Sequence, residues 1–153
     1  MKNKMIKGFK KYLSEEIAIE YKACLYFFAI LFFYCVYLIY NGIYSAKILH
    51  MSEMILTTYI IGYLQVYGLY NFDEAEKFSG RETAALFLCS GFYTAVSFFS
   101  GWFGQSMAVT GLFFLYMLFM YLCAYLVNKI KRKIDTENLN KMLKDFKEAD
   151  RNE

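Results

Sequence analysis

The chain has 153 residues, 58% of them apolar and 21% aromatic, with a net charge of only +3. That apolar share exceeds what a water-soluble domain carries and fits a surface that meets lipid. The length suits a single domain. The absence of proline leaves no Pro-rich linker. Placement of charge says more than its sum. Sixteen of the 17 Lys and Arg residues fall in the N-terminal arm, one loop and the C-terminal tail. Such ends read as membrane anchors, and they argue against a nucleic-acid-binding face.

In chain order, residues 1–22 form a basic amphipathic arm. Ile6, Phe9, Leu13 and Ile17 recur at helical spacing, with Lys4, Lys7, Lys10 and Lys11 on other faces. An interfacial helix is expected, with Lys10 and Lys11 reaching lipid headgroups. The alternative is a helical extension of the first span that touches protein, since Glu15, Glu16 and Glu20 weaken attraction to anionic lipid. Residues 23–41 are the first span, closed by Asn41-Gly42. This apolar run is too long for the core of a cleavable signal and has no cleavage site after it.

The next loop carries Lys47 and His50, the only histidine. His50 reads as a solvated loop residue, with a pH sensor as the alternative. Ser52 is expected to cap the second span, residues 53–72. Within it Thr58, Gly62 and Gln65 share one face at the small-and-polar spacing of helix contacts. An interhelical hydrogen bond from Gln65 is the expectation, and a place on a solute path the alternative.

The second loop pairs Asp73 with Glu76 and Ser79 with Glu82 in capping-box patterns. Asp73, Glu74 and Glu76 are candidates for contact with a partner. From Thr83 to Asn128 there are 46 residues without one Asp, Glu, Lys, Arg or His. A bilayer core takes about 20 residues of helix, so this stretch is a hairpin of two spans, 83–100 and 107–128. The break falls at Ser100–Ser106, where Trp102 and Phe103 suit a membrane interface. Ser90, Thr94, Ser97 and Gly101 make a small-residue stripe on the third span, expected to meet Gly104, Ala108 and Gly111 on the fourth.

Residues 129–153 are a cytoplasmic tail. Lys129, Lys131, Arg132 and Lys133 are candidate headgroup ligands. Leu139, Met142, Leu143 and Phe146 form an apolar stripe that membrane, a second copy of the chain or a partner protein must cover. The fold class expected is therefore an all-α membrane protein with four transmembrane helices, an N-terminal amphipathic helix and a C-terminal cytoplasmic helix, both termini inside. Cys24, Cys35, Cys89 and Cys123 lie in the spans without ligand spacing and read as small hydrophobes. No cofactor, metal or catalytic motif is legible, and an enzyme is not expected. No span has a carboxylate, lysine or arginine at its middle, whereas coupled transporters usually keep an ionisable residue there.

The segment Gly62–Lys77, with Gly101-Trp-Phe103 and the exit Lys129–Asp135, resembles a family of small bacterial membrane proteins, domain of unknown function 3021 (DUF3021). The resemblance implies a four-helix protein of the bacterial cytoplasmic membrane with no established activity. It also implies a non-enzymatic role as membrane regulator or adaptor for a LytTR-type transcription regulator. A small oligomeric transporter or channel is the alternative function.

Overall fold

The computed structural model describes residues 2–69, 71–75 and 79–151, with side chains over 8–69, 71–75 and 79–147. The described residues are mostly helical and contain no strand. Four long helices follow one another: α1 (Lys2–Tyr40), α2 (Ile48–Tyr63), α3 (Gly80–Phe99) and α4 (Met107–Arg151). Three of them, α1, α3 and α4, are long and apolar enough to cross a membrane. The α-helical part of α2 has 16 residues, and a five-residue π-helical turn, Leu64–Gly68, prolongs it.

The helices alternate in direction. One end of the bundle, the base, gathers the start of α1, the turn after α2 and the exit of α4. The other end, the crown, holds the 41–47 and 100–106 connections. α1 packs closely on α2, and α3 on α4. The first pair comes close at Gly62, where a Cβ would meet Ile19 Cγ2 at 3.4 Å and the Ile19 carbonyl oxygen at 3.7 Å. α1 and α4 keep a wider spacing, filled by rings packed at a tilt: Phe33 against Phe113 and Tyr116, and Tyr26 against Tyr121. The Tyr116 hydroxyl donates to the Ala29 carbonyl at 3.0 Å across this seam. The bundle is thus two close-packed hairpins joined by an aromatic layer, an arrangement that relies on van der Waals contact.

Each helix buries one stripe. On α1 it is Ile19, Ala23, Tyr26, Ile30, Tyr34 and Leu38; on α4 it is Thr110, Phe113, Met117, Tyr121 and Tyr125. These recur every three to four residues, as one helical face requires.

Several expectations change. The N-terminal arm is not a separate helix. α1 runs unbroken through residues 22 and 23, and its lower part touches protein, with Tyr63 donating to Glu16 at 2.5 Å. The tail is likewise continuous with the fourth helix, because α4 runs from Met107 to Arg151. Neither junction contains a glycine or proline to stop it. Ser52 caps nothing: α2 starts at Ile48, and the Ser52 hydroxyl donates back to the Ile48 carbonyl at 3.1 Å. Ser79 and Glu82 do close a capping box at the start of α3, with Ser79 N–H donating to Glu82 at 3.1 Å. Gly104, Ala108 and Gly111 are exposed, so they do not meet the α3 stripe; α4 turns its aromatic and methionine face inward instead. The crown turn is tight because Gly101 and Gly104 take left-handed backbone angles (φ 68° and 60°) that cost glycine little.

Candidate functional site

The base holds the one cluster of charged groups inside the bundle among the described residues. Gln65 lies on the π-helical turn, and its carbonyl accepts from Asn71 N–H at 2.9 Å. Asn71 then takes a left-handed conformation (φ 55°) and redirects the chain into a short 3-10 turn, Phe72–Glu74. Asparagine tolerates that region better than most residues. The turn drives Phe72 and Asp73 into the bundle, each only 2% exposed.

Lys22 of α1, also 2% exposed, donates to Asp73 Oδ1 and lies 3.3 Å from Glu74 Oε1. From α4, Asn128 donates to the Asp73 carbonyl at 3.2 Å. Arg132 donates to the Glu74 carbonyl and, at 2.8 Å, to the Ala75 carbonyl. The connection between the two hairpins is therefore clamped from both sides, by charge from α1 and by amide and guanidinium groups from α4. A buried ion pair repays its desolvation only with good geometry and extra hydrogen bonds; this one has the second carboxylate beside it.

Beneath the clamp lies a polar cluster. The rings of Tyr26, Tyr93 and Tyr121 lie 4.5 to 6.5 Å apart, all buried, with Cys89 and Ser90 at 0% exposure beside them. The Gln65 amide lies beside the Tyr26 hydroxyl, but the contact falls short of full hydrogen-bond geometry. Leaving such groups unpaired costs stability, so this region is more polar than packing alone needs.

At the crown, Glu53 accepts from Trp102 Nε1 at 2.9 Å and lies 3.2 Å from His50 Nδ1. His50 is buried within α2 against Tyr34, not a solvated loop residue. The helix begins at Ile48, earlier than a cap at Ser52 would place it, and carries the imidazole inward.

The other candidates distribute as follows. Asp73 is enclosed and not open to a partner; Glu74 is exposed; Glu76 lies outside the described residues. Thr58, Gly62, Gln65, Ser90 and Ser97 are buried and Thr94 and Gly101 half-buried. Thr94 and Ser97 donate to the Ser90 and Thr94 carbonyls of their own helix. Lys10, Lys11, Lys129, Lys131 and Lys133 are exposed, whereas Arg132 is taken up by the loop carbonyls. Leu139, Met142, Leu143 and Phe146 are 58–79% exposed on the projecting part of α4. All four cysteines are free, and among the described residues no group of His, Cys, Asp and Glu could hold a metal ion.

Sequence reasoning missed Lys22. The signal was a lysine in phase with Ile19, Ala23 and Tyr26 on the buried face of α1, facing a carboxylate 51 positions away. No family model, no curated protein and no solved structure matches the chain. The described residues fit the class of all-α membrane proteins, with three helices long and apolar enough to cross a bilayer.

Proposed function

We propose that the chain is a non-enzymatic, multi-pass protein of the bacterial cytoplasmic membrane, of the DUF3021 type, that regulates or recruits a cytoplasmic partner. Four spans are supported by the continuity of α2 with its π-helical turn. Together they reach from Ile48 to Gly68, about 30 Å at helical rise, the thickness of a bilayer core. The placement of lysine and arginine puts both termini inside. One observation carries the regulatory role. α4 continues past the last span as an unbroken helix and carries an uncovered apolar stripe, Leu139, Met142, Leu143 and Phe146. Mixed charge around a short apolar seam suits a protein partner better than anionic lipid. The family resemblance points to a LytTR-type regulator as that partner.

The test is co-expression with a LytTR-type regulator, followed by separation of membranes. The regulator should sediment with membranes that contain the wild-type chain. It should stay soluble with Leu139→Ser, Leu143→Ser and Phe146→Ser combined, while the variant itself remains inserted. Equal sedimentation with both would overturn the role given to the tail.

A second reading, a small oligomeric transporter or channel, draws on the burial of Thr58, Gly62, Gln65, Ser90 and Ser97 inside the bundle. Rings close both ends of that interior, Phe103 at the crown and Phe72 at the base. Solute flux into liposomes that disappears with Gln65→Leu would favour this reading.

A further inference from the structure

We propose that the groove between α1 and α4 at the base binds one zwitterionic phospholipid whose headgroup ends in a primary ammonium. The inference rests on the reading of α1 and α4 as spans. Because the two helices are held apart by rings, a slot opens sideways between them. One part, about 240 Å³, is walled mainly by Leu25, Met120, Cys123 and Ala124 and is bounded on one side by the Lys22, Asp73 and Glu74 cluster. It continues past Tyr21 and Asn128 into a second space of about 350 Å³, whose lining includes Glu74, Lys131, Arg132 and Asp135. Along α4, Met120 to Asp135 is about 22 Å at 1.5 Å per residue. The apolar part lies at the depth of acyl chains and the charged part at the depth of headgroups. The shape fits one lipid, chain inward and head at the mouth.

Charge decides the headgroup. Lys131 and Arg132 bring two positive charges and Glu74 and Asp135 two negative ones; Lys22 pairs with Asp73 and also lies 3.3 Å from Glu74, and Arg132 also holds the Glu74 and Ala75 carbonyls. Counted over these described residues, the mouth is neutral and divided in sign. An anionic lipid would satisfy the cations and leave the carboxylates facing its phosphate. A zwitterion satisfies both sets. A primary ammonium donates hydrogen bonds to carboxylates, which a trimethylammonium cannot do, and charge-assisted bonds are the strong ones.

The test is native mass spectrometry of the membrane-extracted protein, titrated with phosphatidylethanolamine, phosphatidylcholine and phosphatidylglycerol of matched chains. Phosphatidylethanolamine should be retained about tenfold better than phosphatidylcholine, the effect of one charge-assisted hydrogen bond. Glu74→Gln with Asp135→Asn should abolish that preference and shift retention toward phosphatidylglycerol. Ala124→Trp, which fills the apolar part, should lower retention of all three. Equal retention of the three lipids, preference of the wild type for phosphatidylglycerol, or unchanged phosphatidylethanolamine retention in either variant would overturn the site. Recovery of the protein in the soluble fraction would instead overturn the reading of the spans.

Discussion

Lys22 and Asp73 show how a single residue ties distant parts of this fold. Neither carries a free charge; each is enclosed by the other. Removing one partner leaves a buried ion, which costs about 3–5 kcal/mol, whereas replacing both by apolar groups is often nearly neutral. Lys22→Met should therefore destabilise strongly against unfolding by denaturing detergent. Lys22→Met with Asp73→Leu should recover most of the loss. A double-variant loss equal to the sum of the two single losses would mean the pair does not act as a unit. Both residues were visible in the sequence, but their pairing was not. Lys22 stands at the edge of an apolar run, where a lysine usually turns outward to headgroups. Only the left-handed turn at Asn71 aims Asp73 inward.

At the scale of elements, the apolar run from Thr83 to Asn128 and its glycine break correspond to α3, the crown turn and the first half of α4. These features were legible because they depend on local chemistry. The capping box at Ser79 belongs to the same kind. The register of the helices was not legible, since a stripe of small residues and a stripe of rings are equally regular along a helix. Gly104, Ala108 and Gly111 were set against α3 on spacing alone, whereas Phe113, Met117 and Tyr121 take the interior. Two predictions belong here. Ser97 is fully buried, so Ser97→Leu should cost about 1–3 kcal/mol through overpacking; an unchanged detergent stability would show slack around it. Trp102→Phe keeps a ring at the crown but removes the donor to Glu53. It should cost about 1.5–3 kcal/mol, as for a bond to a charged acceptor. Glu53→Gln, which keeps an acceptor, should cost less. The opposite order of the two losses would assign Trp102 a packing role only.

For the whole molecule, the proposed orientation makes the base cytoplasmic. In a variant stripped of its four cysteines, a cysteine placed at Ser45 should react with an impermeant reagent from outside. One placed at Ser79 should not; both positions are exposed, so access alone does not separate them. The reverse pattern would turn the molecule over and move the tail away from any cytoplasmic partner. The charge asymmetry behind this orientation was plain in the sequence. The wide spacing of α1 and α4 was not, because it arises from the sum of many ring volumes.

The same helix that carries the tail stripe also grips the connection between the hairpins, through Asn128 and Arg132. Phe146 stands 14 residues beyond Arg132 with no kink between them, about 21 Å along the axis. α4 is in that sense a lever with its fulcrum at the clamp. A tilt of about 10° at Arg132 would carry Phe146 sideways by nearly 4 Å at that arm length. The same tilt would pull directly on the carbonyls of Asp73, Glu74 and Ala75. A weight hung on the tail is thus delivered to the joint between the hairpins.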